Sequence, residues 1–266
     1  MRLGYLMEDY QNASIKIPLN IRLAKKTSSV LIAGKSGSGK SLSARWYIGN
    51  LLTTGESAVY IADYKGGEEY EAFEGSLSYA SGSDAVTMIQ DFYDFFVYVR
   101  ENKIKLERHY TLFIEEWFGL LTYAETQSKK LKAELQAKIG ELLAVSRGLN
   151  MGVFCVQRAD AHLFDSGSRE QFQCVLSFGR CSAEQFRMLG FSGELEENPT
   201  SGYKPGQALV LIDGQESVQE IIVPRISNPD VLDREIRNRL DRQPGLAALI
   251  SGTAEGWNRG QTVRTE

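Results

Sequence analysis

Short apolar runs alternate with longer amphipathic stretches over most of the sequence. The runs at 30–33, 58–62, 111–114, 151–156 and 174–178 are brief and mostly apolar, which is typical of strands buried on both faces. The stretches between several of these runs show apolar residues at intervals of three and four, which predicts covering helices. The alternation predicts an α/β fold with a mostly parallel central sheet flanked by helices.

Three of the helices are well defined by sequence. The first covers residues 42–52, the second begins at Ser83 or Asp84, and the third covers 129–147. The second helix carries aromatic residues along one side, and we interpret them as part of the core rather than as a ligand-binding box.

The two ends of the sequence carry weaker patterns. Residues 14–23 alternate like an edge strand or hairpin, and Pro18 excludes a central strand. Residues 207–212 and 218–223 predict a peripheral β-hairpin, and a helix is predicted to begin at Asn228. We expect one main domain over 1–226, including an N-terminal β segment at 1–27, and a C-terminal helix with a flexible tail over 227–266.

Composition indicates a globular protein without a membrane span of its own. The chain has 266 residues, of which 42% are hydrophobic and 24% charged, enough for one sizeable core. No apolar stretch approaches the roughly 18 residues that cross a bilayer, and the first nine residues include acidic ones where a signal peptide is apolar. We expect a cytoplasmic location, or recruitment to the membrane by a partner.

Cysteine, histidine and net charge exclude other classes of site. Three widely spaced cysteines and two histidines do not form a zinc or disulfide pattern. Cys155 is interpreted as a small buried residue of a strand, and His109 and His162 as structural or exposed residues. The net charge of −4 provides no global basic field, so DNA binding would require locally concentrated basic residues.

The most informative motif is a phosphate-binding loop. Residues 34–41 read GKSGSGKS, a complete GxxxxGKS pattern, directly after the first buried run and before helical sequence. Glycines let successive backbone N–H groups face phosphate oxygens, Lys40 supplies positive charge, and the Ser41 hydroxyl can bind Mg²⁺. The alternative is a glycine-rich surface turn. The predicted ATP-binding residues are Gly34, Lys35, Ser36, Gly37, Ser38, Gly39, Lys40, Ser41 and Leu42, although Lys35 is as consistent with a solvated charge.

Two acidic residues follow the third buried run, at the edge of a parallel sheet where ligands bind. We expect Glu115 to hold Mg²⁺ together with Ser41, and Glu116 to orient and deprotonate the attacking water. Asp63, at the end of a neighbouring strand, is an alternative metal residue. Gln157 follows the next strand and either hydrogen-bonds the γ-phosphate or the water, or is structural. An exposed acidic pair at a helix start is the alternative for the two glutamates.

Four segments in this order resemble the FtsK/SpoIIIE branch of the HerA-FtsK motor ATPases. Residues 33–41 are similar to that family's AGxxGSGKS, residues 62–67 to its DPKG segment, 114–120 to IDExxDL, and 146–158 to RxxGIHLxxATQRP. The resemblance covers roughly residues 28–225. Departures include Tyr64 for proline, Glu115 for aspartate and Gly119 for the second aspartate.

The resemblance implies a RecA-like P-loop NTPase core and a hexameric ring that hydrolyses ATP with Mg²⁺ to move double-stranded DNA through its centre. The implied pore candidates are Arg158, Arg169, Lys129, Lys130 and Lys132, of which the three lysines also fit a solvated helix face. The candidates for an arginine acting on the adjacent subunit are Arg147, Arg180 and Arg187.

The sequence thus predicts an ATP-dependent DNA translocase, serving conjugative transfer, replication or processing of a mobile element. A relaxase or a membrane channel is the expected kind of partner. Two alternatives stay open: a secretion ATPase that moves polypeptides with the same core, and a nucleotide-dependent DNA-binding scaffold with little turnover.

Overall fold

The computed structural model describes residues 1–23, 27–158, 169–215 and 217–252. Its ten named strands form one sheet in the order β2-β1-β10-β9-β8-β3-β7-β6-β4-β5. The strands of the parallel part are β3 (Val30–Gly34), β4 (Ser57–Asp63), β5 (Tyr79–Ser81), β6 (His109–Glu115), β7 (Met151–Gln157) and β8 (Cys174–Phe178). All neighbouring pairs among these six run parallel, which confirms the predicted mostly parallel α/β core.

Four further strands extend the sheet beyond β8 in antiparallel fashion. They are β9 (Gln207–Ile212), β10 (Gln219–Ile222), β1 (Arg2–Leu6) and β2 (Pro18–Asn20). β9 and β10 pair as the expected peripheral hairpin. β2 is the outermost strand, where Pro18 is tolerated because one side of the strand has no ladder to complete. β1 joins β10, so segments from opposite ends of the sequence lie side by side.

Helices cover both faces of the parallel part. The helices of the described residues are α1 (Met7–Ala13), which lies instead against β1 and β10, α2 (Lys40–Thr54), α3 (Asp84–Glu101), α4 (Trp117–Gln127), α5 (Lys129–Val145), α6 (Ala183–Met188), α7 (Pro229–Leu240) and α8 (Leu246–Ser251). The apolar spacing predicts α2, α3 and α5, whereas α4 was not anticipated. Within the described ranges, no helix combines the length and apolar character that a membrane span requires.

The alternation of side chains along each strand divides the core into two layers. Leu31 and Leu112 face the layer that contains the aromatic side of α3. Ile32 and Phe113 face the opposite layer, with the apolar side of α2. Because strands β3, β4, β6 and β7 are buried on both faces, most positions along them are apolar. Each large apolar side chain contributes about 1.5–3 kcal/mol on burial.

Helix α7 packs on the second layer. Ile236 and Leu240 are fully buried there, and Asp233 accepts two hydrogen bonds from Arg45 of α2, at 2.6 and 2.7 Å. The division of the chain at residue 226 remains a prediction. Residues 253–266 of the predicted flexible tail lie outside the described residues.

The segment after α7 completes part of the sheet with a side chain. Val59 of β4 precedes the point where β5 begins to pair, so its backbone has no strand partner on that side. The Gln243 amide takes this place: its oxygen accepts from Val59 N at 2.9 Å, and its nitrogen donates to Val59 O at 2.9 Å and to Ser78 Oγ at 3.0 Å. The C-terminal segment is therefore fastened to β4 by backbone-like hydrogen bonds.

Candidate phosphate-binding and hydrolytic site

The predicted site residues meet at the carboxyl edge of the parallel strands. Asp63 and Glu115 are register partners at the ends of β4 and β6. Gln157 is the partner of Ala33, at the end of β7 beside the strand that leads into the phosphate loop. The sheet thereby brings together residues from four separate sequence segments.

The phosphate loop needs glycine for reasons of backbone geometry. Gly37 and Gly39 have φ values of 77° and 87°, in the left-handed region that side chains disfavour. A Cβ on Gly39 would lie 2.7 Å from the backbone nitrogen of Gly206, and Gly206 N donates to Ser38 O at 3.0 Å. The loop is thus packed against the chain just before β9, a contact that the sequence motif does not indicate.

The middle residues of the phosphate loop are exposed, and some later ones are buried. Lys35, Ser36 and Gly37 are exposed, whereas Lys40 is buried at the start of α2. The hydroxyl of Ser38 is buried and has no hydrogen-bond partner among the described residues. A phosphate group is the kind of ligand that this hydroxyl, the Lys40 ammonium and the helix N-terminus would bind together.

Glu115 connects the loop to the sheet edge. Ser41 Oγ donates to Glu115 Oε1 at 3.0 Å, and the hydroxyl of Tyr70 donates to Glu115 Oε2 at 3.0 Å. Burial raises the pKa of Glu115 to about 7, although the two hydrogen bonds act in the opposite direction. Burial and then Glu115 raise the pKa of Tyr70 well above its ordinary value, which keeps the phenol a donor.

Asp63 has a different environment. Tyr79 OH donates to its Oδ2 at 3.0 Å, and burial raises the pKa of the Asp63 carboxyl. None of the described hydrogen bonds joins Asp63 to the phosphate loop. Mg²⁺ prefers hard oxygen ligands, and it is commonly bound by one or two carboxylates with waters and phosphates. The hydroxyl of Ser41 and the carboxylate of Glu115 fit such an ion, and their contact favours Glu115 over Asp63 as the residue that would hold it.

Among the described candidates other than glycine, Glu116 is the one with a left-handed backbone. It has φ 58° and ψ 56°, and it directly precedes helix α4. Its N–H donates to Val156 O at 3.0 Å, which extends the pairing of β6 with β7 by one residue. Left-handed backbone in a residue with a side chain costs on the order of 1 kcal/mol or more and often occurs at functional sites.

Tyr64 and Gly119, two positions at which the sequence departs from the motifs of the family it resembles, are neighbours in the structure. A Cβ added to Gly119 would lie 3.0 Å from the Tyr64 ring and 3.3 Å from Glu116 Cγ. The ring of Tyr64 therefore occupies space that a side chain at position 119 would need. This contact gives a physical reason why tyrosine at 64, where the family has proline, goes with glycine at 119, where the family has aspartate.

Gln157 lies between the loop strand and the Glu115 strand and is almost fully buried, at 1% exposure. Its amide oxygen has no hydrogen-bond partner among the described residues. A buried amide that lacks a partner is costly, so a bound ligand or water is the expected partner here.

The basic candidates occupy several places. Arg158 is exposed directly after Gln157, at the site edge. Lys130 pairs with Glu134 at 3.5 Å and Lys132 with Glu125 at 2.7 Å, which is the behaviour of a solvated helix face. Lys129 is exposed at the start of α5. Residues 159–168 and the side chain of Arg169 lie outside what the structure describes.

The three arginines considered for action between subunits are all exposed. Arg147 precedes β7, at the edge of the sheet opposite the phosphate loop, and Arg187 lies in the last turn of α6. Arg180 follows β8 and shares an open cavity of about 400 Å³ with Lys35, beside the phosphate loop of its own chain. The remaining lining residues of this cavity are Cys181, Ser182, Ala183, Asn198 and Ser201.

Sequence reasoning missed Tyr70, Tyr79 and Gly206. Tyr70 lies in a short helical turn and Tyr79 begins the three-residue strand β5, and these elements are too short for periodicity to indicate what the side chains face. The motif resemblance at 62–67 indicated a functional role only for the stretch immediately before Tyr70.

No protein-family model matches the sequence, and no curated protein sequence does. Solved structures do match. The pCW3 conjugation coupling protein TcpA, in its monomer form with ATPγS, has a TM-score of 0.60 and 18% identity, over 88% of this chain and 69% of that one. The cytoplasmic domain of the type VII secretion ATPase EccC of Thermomonospora curvata has a TM-score of 0.62 and 16% identity, over 92% of this chain but only 31% of that one.

A smaller protein matches over almost its whole length. The genome packaging NTPase B204 of Sulfolobus turreted icosahedral virus 2, in complex with ATPγS, has a TM-score of 0.51 and 15% identity, over 74% of this chain and 98% of that one. These neighbours are P-loop ATPases of the FtsK/HerA type. The chain described here has their fold, a RecA-like P-loop ATPase core, as the sequence resemblance implied.

Proposed function

We propose that this chain binds and hydrolyses ATP at the carboxyl edge of its sheet and uses the reaction to move DNA. The observation that carries the ATPase assignment is the 3.0 Å hydrogen bond between Ser41 Oγ and Glu115 Oε1. It joins the end of the phosphate loop to the acidic strand end, across 74 residues of sequence. These are the two parts that a P-loop ATPase needs in contact.

The chain's own residues divide the work between binding and hydrolysis. The loop amides and Lys40 bind the phosphates, and Ser41 and Glu115 would hold Mg²⁺. Bound Mg²⁺ would neutralise charge on the phosphate oxygens. Glu116, as general base, orients the attacking water and accepts its proton. The amide oxygen of Gln157, which has no partner among the described residues, would accept a hydrogen bond from that water.

DNA is the proposed polymer because two of the similar structures are a conjugation coupling protein and a genome packaging NTPase. We propose that several copies form a ring, with six as the expected number, and that an arginine of one copy reaches the nucleotide of the next. Since Arg180 lies beside its own phosphate loop, Arg147 and Arg187 are the stronger candidates for that role. Arg158 is the strongest described candidate for a phosphate-backbone contact, because it is exposed at the site edge.

A secretion ATPase is the second candidate, and the comparable TM-score of EccC favours it. A DNA-binding scaffold with little turnover is the third possibility, since glutamate replaces aspartate at position 115. The process served, such as conjugative transfer with a relaxase or channel partner, belongs to the proposal as well.

One experiment separates the candidates. The rate of ATP hydrolysis is measured while duplex or single-stranded DNA is titrated, each at 50 and 200 mM salt. A DNA motor is expected to show strong stimulation that weakens at the higher salt, because contacts with the phosphate backbone release counterions. Indifference to both DNAs would favour secretion, and DNA binding without turnover would favour the scaffold.

The site itself is tested by Lys40→Ala, which removes the charge that contacts the phosphates. We expect loss of ATP binding or hydrolysis, measured by calorimetry and phosphate release. Lys35→Ala is the matched control and is expected to have the smaller effect. Lys35 lies five residues before Lys40 in the same loop and is exposed. Parental ATP affinity together with a parental rate of hydrolysis in Lys40→Ala would contradict the ATPase assignment.

A further inference from the structure

The glutamate at position 115 creates a problem of positioning that an aspartate would not have. Its side chain has one more rotatable bond, so its carboxylate can take more positions with respect to Ser41. In the structure both oxygens are engaged: Oε1 by Ser41 and Oε2 by the hydroxyl of Tyr70, each at 3.0 Å. The carboxylate is held between two donors from different segments.

Tyr70 is itself held firmly. Its side chain is buried, at 1% exposure, and its ring lies 5.9 Å from that of Phe73 within the short helical turn Glu68–Phe73. Arg237 of α7 donates to the carbonyl oxygens of Ala72 at 3.2 Å and Glu74 at 2.6 Å, which fixes the end of this turn. The phenol therefore has little freedom to follow the carboxylate if Glu115 rotates.

We propose that Tyr70 is a positioning residue that fixes Glu115 so that one defined oxygen faces Ser41 and the Mg²⁺ of bound ATP. The proposal rests on the ATPase assignment above. Tyr70 does not contact nucleotide or metal in this role; it acts through the second oxygen of Glu115. An aspartate is restricted by its shorter side chain. Here the contact with Tyr70 restricts the longer side chain of Glu115 instead.

The structure supplies two matched comparisons. Tyr79 donates to Asp63 Oδ2 at 3.0 Å on the neighbouring strand, so Tyr79→Phe removes the same group from the alternative metal residue. Tyr47 is fully buried and donates to the backbone oxygen of Leu3 at 2.8 Å, away from the sheet edge. Tyr47→Phe therefore measures what the loss of a buried phenol hydroxyl does without any carboxylate.

The experiment measures binding of the fluorescent analogue methylanthraniloyl-ATP to the full chain as Mg²⁺ is titrated, and again in EDTA. Tyr70→Phe is expected to raise the Mg²⁺ concentration for half-maximal binding about 10-fold, as loss of outer-shell partners does at metal sites. Binding in EDTA is expected to stay unchanged, as are both quantities for Tyr47→Phe and Tyr79→Phe. In a Glu115→Asp background, Tyr70→Phe is expected to have a smaller effect.

Several outcomes would overturn the proposal. One is an unchanged Mg²⁺ requirement in Tyr70→Phe, and another is a shift in Tyr79→Phe instead, which would assign the ion to Asp63. A loss of binding in EDTA would show a general structural role. If Tyr70→Phe does not fold, Arg237→Ala loosens the same turn from its far side, and an unchanged Mg²⁺ requirement there overturns the proposal too. Failure of the parent chain to bind the analogue with Mg²⁺ would instead refute the ATPase assignment.

Discussion

At the scale of single residues, Glu116 shows a conflict between stability and activity. Its backbone lies in the left-handed region, which glycine adopts at little cost, yet its position at the sheet edge makes it the proposed general base. A glycine would suit the fold better, but it would lack the carboxylate that hydrolysis requires.

Glu116→Gly is therefore expected to stabilise the chain by about 1 kcal/mol while abolishing ATP hydrolysis. Urea unfolding measures the first effect and phosphate release the second. Glu116→Gln is the control, since it keeps a side chain and hence the strain: hydrolysis should be lost without the gain in stability. Parental hydrolysis in Glu116→Gln would show that the base is another residue.

His109 is a second residue whose environment has a measurable consequence. It is buried at the start of β6, where its Nδ1 lies 2.9 Å from Thr111 Oγ1 and 3.3 Å from Ser57 Oγ. Burial lowers its pKa from 6.5 to about 3. The structural role expected from sequence fits this setting, which is at the opposite end of β6 from Glu115.

Because the pKa of His109 is lower in the folded than in the unfolded state, the unfolded chain binds the proton first as the pH falls. The free energy of unfolding is then expected to decrease through this residue between pH 6.5 and 3, by about 1 kcal/mol per pH unit. Urea unfolding of the parent and of His109→Asn at several pH values tests this. A parallel pH dependence of the two proteins would exclude His109 as the source.

At the scale of elements, the backbone hydrogen bonding of the sheet is completed in one place by a side chain that belongs to no strand. Gln243 satisfies the backbone of Val59 on the side where β5 has not yet begun, and the hydroxyl of Tyr60 donates to Pro244 O at 2.8 Å. The segment after α7 is thereby part of the sheet's hydrogen bonding, although it contributes no strand there.

Gln243→Ala is expected to destabilise the chain by roughly 2–4 kcal/mol, because it leaves a buried N–H and a buried C=O of Val59 without partners. Gln90→Ala is the matched control and should cost little, since that amide donates to the exposed Asp94 one helical turn away, at 2.7 Å, and to no other described residue. Equal unfolding midpoints for the two variants would show that water replaces the Gln243 amide without penalty.

The parts of the fold and site that could be predicted from the sequence are those that depend on contiguous patterns of residues. The buried strands, α2, α3, α5 and the phosphate loop each depend on residues close in sequence, so periodicity and motif identify them. Tyr70, Tyr79 and Gly206 could not be found this way, because their roles depend on contacts across 45, 16 and 168 residues of chain. α4 was missed because its sequence has no clear end signals, and β1 was expected only as part of a general β segment over 1–27 because it lacks strong alternation.

At the scale of the whole molecule, the proposed ring predicts a dependence of assembly on bound ATP. In such a ring the nucleotide lies where an arginine of the next copy can reach it, so trapped ATP should hold copies together. Glu116→Gln with MgATP is expected to sediment as an oligomer, and Lys40→Ala is expected not to respond to ATP. Identical sedimentation of Glu116→Gln with and without MgATP would contradict assembly through the nucleotide.

The pairing of β1 with β10 also has a consequence for synthesis on the ribosome. Leu6 finds its partner Ile221 only after roughly 200 further residues have been made, which takes on the order of 10–40 s. During that interval β1 can pair with β2, but its other edge stays open. The antiparallel part of the sheet can therefore be joined to β1 only after β10 has been made, and a chaperone that shields the open edge of β1 would act within that window.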